Sequence, residues 1–541
     1  MSEHKREQHL LRVNGEDDFA FTGIDAVLFA LVVGLFVAAR LWRLTASCLW
    51  FDEIFSIHAA RHDWPNLITF VGMDIIHPPL FYLLLKGWIN LPGGESLAWI
   101  RLFPALTAML GVVPFVLLCR ELRLKPMEIN LALLLMAVNG YLIKYAQEVR
   151  MYSLLLFFGL CSLWLFVRFF NSRSYSWKDL AALSAINLLM VYTHYFGWML
   201  IATESIFVMW RGGRKILPFI ISTAGVAVCF APWLYMVLRL AAGGAEVEQN
   251  LGWAARPVLA DVARFLVLLH EPFYFRQSSH EPLFLRGSAI VGALLFIFPL
   301  ASLCWRSVAR RNREEGDRRR AAVVEWLLLC SFAPVVLAFF SSQFLPQSIW
   351  GTRHLIIVAA PYMILIAVAL CALRPAWLGG ALVLLLACWT LLAGAFVLLK
   401  RESPYVWCAW DALARQMVRA EVAGADEVKV YAFEDLVAYH LWFTLQGNAD
   451  GRRFRVAVIK GVPSLIEDTA YFLPRGFHEV EVTDARVFPT GEHFWIAFRD
   501  TEWNEARAPL NLLRERGYQT GITFELSARG QRAFIVPVWQ K

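Results

Sequence analysis

The chain has 541 residues, 58% of them hydrophobic and 18% charged, with a mean hydropathy of +0.51. No water-soluble globular core needs that much apolar surface, so the bilayer is the principal solvent of this molecule. The net charge of +7 sits in loops between apolar runs without interleaved exposed aromatics, which argues against a nucleic-acid partner.

In chain order, a polar head with Lys5, Arg6 and Arg12 (residues 1–23, a cytoplasmic tail) precedes the apolar run Ile24 to Trp42. That run is too long for a signal peptide, lacks a clean small-residue cleavage site, and is followed by a poor lipoprotein box at Thr45-Ala46-Ser47-Cys48, so it reads as an uncleaved first span. Further spans are expected near 100–119, 127–143, 151–170, 179–194, 196–210, 216–238, 286–305, 322–340, 354–373 and 377–399, about eleven in all. The strongest basic loops are Arg120, Arg123 and Lys125; Arg168, Arg173 and Lys178; Arg211, Arg214 and Lys215; and the run from Arg306 to Arg320. With the N-terminus inside, every one of them falls on the cytoplasmic side and the C-terminus falls outside.

Three outer segments are long or rich in polar groups: 43–99, 239–285 and 341–353. Within the first, His77 to Trp88 is apolar but short for a span and bounded by prolines and glycines, which predicts a helix at the membrane interface anchored by Tyr82 and Trp88. Beyond Lys400 the chain changes character. Val428 to Phe433, Phe454 to Ile459, Phe494 to Phe498 and Ala533 to Val538 read as strands, and Glu434 to Leu445 and Ala508 to Arg516 as helices, which makes residues 401–541 a soluble α/β domain outside the membrane. It holds no Gly-rich phosphate loop, which leaves it a structural or acceptor-docking role. Of nine cysteines, seven lie in or at the ends of spans as apolar fillers; Cys48 and Cys408 both fall outside, where a disulfide is chemically permitted, but the sequence does not show whether they meet.

The outer side gathers ionisable residues beside apolar segments: Asp52 and Glu53, Asp74 and His77, Arg101, Glu148 and Arg150, Arg353 and His354, with Lys86 on the short helix. Any one of them is explained by snorkelling or a structural ion pair; carboxylates and arginines grouped on one side point to function. The motifs Trp50-Phe51-Asp52-Glu53, Asp74-Ile75-Ile76-His77-Pro78-Pro79-Leu80-Phe81-Tyr82, Arg101 heading the second span, and Gln147-Glu148-Val149-Arg150-Met151-Tyr152 resemble the GT-C membrane glycosyltransferases. More narrowly, over roughly residues 20–400, they resemble the protein mannosyltransferase and lipid A aminoarabinose transferase superfamily. Arg353-His354-Leu355, followed by Pro361, is similar to an Arg-Tyr-Leu and proline pattern of these enzymes, with His354 where Tyr is commoner.

The resemblance implies a mostly α, polytopic bundle of the GT-C type in 24–400, with a catalytic outer loop at 43–99. The implied reaction moves a sugar from a polyprenyl-phosphate donor to an extracytoplasmic hydroxyl of a lipid, glycan or protein, with inversion, at the plasma membrane. A hydroxyl is a poor nucleophile until a carboxylate takes its proton, a task the resemblance gives Asp52. The departing lipid phosphate needs positive charge, which Arg353, Arg150 and Arg101 can supply as forked donors. Glu53 goes to orientation or to a partner such as Arg101, because adjacent residues point about 100° apart on a helix. Asp74 and His77 go to sugar or acceptor hydroxyls, although a His before two prolines can simply cap a turn. Glu148, His354 and Lys86 are further site candidates. No Asp-x-Asp occurs, which favours a lipid donor over a sugar nucleotide. A divalent metal is possible on Asp52, Glu53, Asp74 and His77, but no spacing demands one. A transporter or lipid flippase is the alternative; it would usually show internal repeats and midplane charges, neither of which is seen here.

Overall fold

A computed structural model describes residues 22–172, 176–242, 255–273, 288–309, 315–399, 408–421, 427–447, 449–460, 479–488, 491, 493–506, 510–528 and 531–540. Helices occupy every apolar run read from the sequence, and among the described residues seven are long and apolar enough to cross a membrane, including Gly23–Leu41, Tyr152–Asn171 and Thr352–Ala372. The expected segments 239–285 and 1–23 lie partly or almost wholly outside the described residues.

Local chemistry sets the helix ends. Thr22 and Asp25 form a reciprocal capping box at the start of Gly23–Leu41. The stretch Ala359–Ala372 is apolar on all sides, and Ala359 through Leu370 are buried, so it has no solvent or lipid face and forms the centre of the bundle. It packs against Pro126–Val138, Phe298–Ala309 and Glu315–Phe344.

The basic loops fasten neighbouring helices: Arg211 to Glu325 at 2.8 Å, Arg168 to Asp179 at 3.0 Å, and Arg320 to Glu128. Lys215 donates to the carbonyls of Phe169 and Ser172. Three short helices, Phe51–Arg61, Trp64–Asp74 and Leu80–Ile89, lie within the predicted segment 43–99. The last of these matches the predicted short helix, and Trp88 stacks on Trp99 at 4.3 Å while each indole donates to the other's carbonyl. Tyr82, expected as an interfacial anchor, is instead fully buried, because its hydroxyl accepts from Arg150.

The C-terminal sheet runs β3 (Glu481–Asp484), β2 (Phe454–Lys460), β1 (Val428–Ala432), β4 (His493–Asp500), β7 (Gln531–Gln540) and β5 (Tyr518–Thr520), with β6 (Phe524–Ala528) also on β7. The first four pair in parallel and β7 is antiparallel to β4. Parallel strands bury both faces. Here Tyr431, Ile459, Phe494, Ile496 and Phe534 fill one side, while Val430, Val458, Trp495 and Ile535 join the main core on the other. The four strands read from sequence are present; β3, β5 and β6, short or polar, escaped that reading, as did the amphipathic helix Ala409–Ala420.

This unit is tied to the bundle by a disulfide, Cys48 to Cys408, with Cα atoms 5.2 Å apart. The possibility left open by the sequence is thus answered by the fold.

Candidate active site

Asp52 and Glu53 occupy the first turn of Phe51–Arg61, where carboxylates suit the helix dipole, and both are buried. Their adjacency turns them to different neighbours. Glu53 takes a bidentate pair from Arg101, Nε at 3.1 Å and Nη2 at 2.9 Å, and accepts the backbone N–H of Val149 at 3.1 Å. Arg101 also donates to the carbonyls of Leu44, Ser47 and Cys48. All five N–H donors of that guanidinium are therefore used. The expectation that Arg101 holds a phosphate is corrected on this ground, since a donor atom already committed inside the protein has nothing to offer a ligand. Glu53, a site candidate expected to orient the site or to pair with an arginine such as Arg101, is the other half of that structural latch.

Asp52 faces the other way. Arg353 Nη1 donates to its Oδ2 at 2.9 Å across 301 residues of sequence. Arg150 reaches the same turn, its Nη1 donating to the Asp52 carbonyl at 3.3 Å, to Ser56 Oγ at 3.2 Å and to the Tyr82 hydroxyl at 3.1 Å. Its Nη2 stands 3.2 Å from His77 Nε2. With Nε2 accepting, Nδ1 carries the proton and donates to Asp74 Oδ2 at 2.9 Å. Burial, and then the charge of Arg150, holds the His77 imidazole well below its usual pKa, so the ring is neutral.

The turn that brings Asp74 and His77 together is strained. Ile75 has φ of 64°, a region β-branched residues avoid, and it is held there by the Tyr195 hydroxyl donating to its carbonyl at 3.0 Å.

Glu148 lies in the turn between Gly140–Ala146 and Tyr152–Asn171, buried, with Oε1 lacking a hydrogen-bond partner among the described residues. Burial first, then repulsion from Glu53 and Asp52 working against Lys144 and Arg353, lifts its carboxyl to about 7. His354 begins the late span, with its ring 4.9 Å from that of His194, which is in turn 5.6 Å from His77. Gly351 permits the fold-back, because a Cβ there would meet His354 Nδ1 at 2.7 Å. Lys86 is not part of the cluster. Its ammonium donates to the carbonyls of Ala60 and His62 and so caps the far end of Phe51–Arg61. Nor do Asp52, Glu53, Asp74 and His77 offer a joint metal site: among the described residues they form no group of ligand atoms close enough for one ion.

No protein-family model and no curated protein matches the sequence. Solved structures do. ArnT from Cupriavidus metallidurans bound to undecaprenyl phosphate superposes with a TM-score of 0.56 at 13% identity, covering 96% of this chain and 98% of that one. The apo state of the same protein gives 0.51 at 14%, covering 95% and 98%.

This chain has the GT-C glycosyltransferase fold.

Within the GT-C fold the structure joins buried Asp52, Arg150, His77 and Asp74 and the partly exposed Arg353 into one polar network beside Glu148 and His354. Sequence reading missed two neighbours. His194 ends the helix Trp177–Thr193, and a lone His at a span end carries no specific signal. Tyr152 belongs to the quoted motif, and its buried hydroxyl has no hydrogen-bond partner among the described residues.

Proposed function

We propose that the chain transfers a sugar from a polyprenyl-phosphate carrier to a hydroxyl of a lipid, glycan or protein on the extracytoplasmic side, with inversion. The observation that carries the reading is the convergence of one buried carboxylate, Asp52, with two guanidiniums, the partly exposed Arg353 and the buried Arg150. Asp52 accepts the proton as the acceptor oxygen bonds to the anomeric carbon. The bond from that carbon to the phosphate oxygen breaks with both electrons leaving on the phosphate, which Arg353 and Arg150 bind as an anion. Neutral His77, fixed by Asp74, accepts from Arg150 Nη2 and so orients that guanidinium toward the phosphate. The GT-C fold, and the undecaprenyl phosphate bound by a protein that shares it, support a lipid-linked donor. The positive-inside rule places the network, and residues 401–541 as a domain beyond the membrane segment 24–400, outside the cytoplasm.

The test uses proteoliposomes supplied with polyprenyl-phosphate sugars, measuring release of free polyprenyl phosphate. Asp52→Asn should lower turnover by about 10²- to 10⁴-fold while the protein stays folded. Near-normal turnover in the Asn variant removes Asp52 from the reaction; carrier moving across the bilayer without transfer would favour a flippase.

A further inference from the structure

The helix that carries Asp52 also carries, at its other end, His58 and its C-cap His62. Four residues apart, they share one helix face. His58 is buried, its Nδ1 3.0 Å from the hydroxyl of Tyr439 on the helix Asp435–Gln446, and its Nε2 2.9 Å from Oε1 of Glu479, two residues before β3. His62 Nδ1 lies 2.9 Å from the His58 carbonyl, and its ring stacks on Phe70 at 4.4 Å. One ligand atom from each of His58, His62 and Glu479 lies within 4.8 Å of the others, the one such group of His, Cys, Asp and Glu among the described residues.

We propose that His58, His62 and Glu479 form a zinc site that clamps the Asp52 helix to the C-terminal α/β unit. Two imidazoles and a carboxylate make a donor set suited to zinc, with a fourth position left for water. Each ring also has its Nδ1 engaged outward, His62 on a backbone carbonyl and His58 on a tyrosine hydroxyl. That is how metal-binding histidines are held with Nε2 toward the ion. Two ligands on a tetrahedral zinc stand about 3.3 Å apart. The 2.9 Å between His58 and Glu479 is already close to that, and the remaining closure falls to His62 and Glu479, which are partly or well exposed. On binding, the proton on His58 Nε2 leaves to solvent while Nδ1 takes one up, so the ring stays neutral with its one proton on Nδ1, and the Tyr439 hydroxyl turns from donating to accepting. Magnesium, a hard ion that prefers six oxygens, should not compete. The alternative is a plain His–Glu pair with His62 incidental.

The full-length protein in nanodiscs, stripped with chelator and titrated with zinc chloride, tests the site by calorimetry and by elemental analysis after gel filtration. About one tightly held zinc per chain is expected, undiminished by excess magnesium. His62→Ala and Glu479→Gln should each weaken it at least about 10-fold. Glu479→Gln keeps volume and a hydrogen bond to His58, so its melting temperature in chelator should match the wild type and only the zinc-induced rise should be lost. Failure of the wild type to retain zinc, or variants retaining as much as it does, overturns the proposal whatever the outcome of transfer assays.

Discussion

Replacing Arg101 with Met separates scaffold from chemistry at this site. The substitution keeps the length of the side chain but removes both bonds to Glu53 and the three to the carbonyls of Leu44, Ser47 and Cys48. Arg101 and Glu53 are each only 2% exposed, so the carboxylate is left buried without its counter-charge, holding only the backbone N–H groups of Trp50 and Val149. Breaking a buried pair from one side costs about 3–5 kcal/mol, and a stranded buried carbonyl adds about 1–3 kcal/mol. Against a typical total stability of about 5–15 kcal/mol, the single variant should be severely destabilised, with low yield of monodisperse protein in detergent and a melting transition lowered well beyond scatter. Replacing Glu53 with Met as well removes the orphaned charge, so the double variant should recover part of the loss, a coupling of about 2 kcal/mol or more in a double-mutant cycle. Size-exclusion profiles and thermal melts measure all three. An Arg101→Met protein that melts like the wild type yet has lost donor binding would refute the latch and restore Arg101 as a phosphate ligand.

Arg353→Lys keeps the charge opposite Asp52 but loses the guanidinium fork; if Arg353 grips the departing phosphate, turnover should fall about 10- to 1,000-fold, and wild-type values in both Arg353→Lys and Arg353→Ala would reduce it to a membrane anchor. Glu148, lifted from 4.5 to about 7 by burial, binds more protons folded than unfolded between those pH values, so its contribution to stability is greatest below about pH 4.5 and declines by about 3 kcal/mol as pH rises to 7. The uncharged Glu148→Gln variant should therefore gain on the wild type in melting temperature from pH 5 to pH 8, and a constant offset would contradict the burial argument. A reporter fused after Lys541 should signal from outside the cytoplasm, and a cytoplasmic signal from the intact fusion would reverse the orientation.

Much of the architecture was legible locally. The apolar runs specify their helices by length and hydropathy alone, because backbone groups in hydrocarbon must bond within their own segment. The central strands β1, β2, β4 and β7 announced themselves by buried β-branched and aromatic runs. Asp52, Arg150 and Arg353 stood out as charges at membrane margins, where charge needs a reason. What only the tertiary structure decided is which charge meets which. Glu53 and Asp52 are neighbours in sequence, yet one is locked to Arg101 and the other to Arg353. Lys86 became a helix cap and Tyr82 a buried partner of Arg150, because a side chain's role follows from the carbonyl or guanidinium that packing puts within about 3 Å of it. The Cys48–Cys408 bond, spanning 360 residues, and the His58–Glu479 contact join segments whose local sequences carry no record of each other. Hydropathy and periodicity are properties of a segment, whereas a pairing is a property of two segments, and it exists only once both are placed.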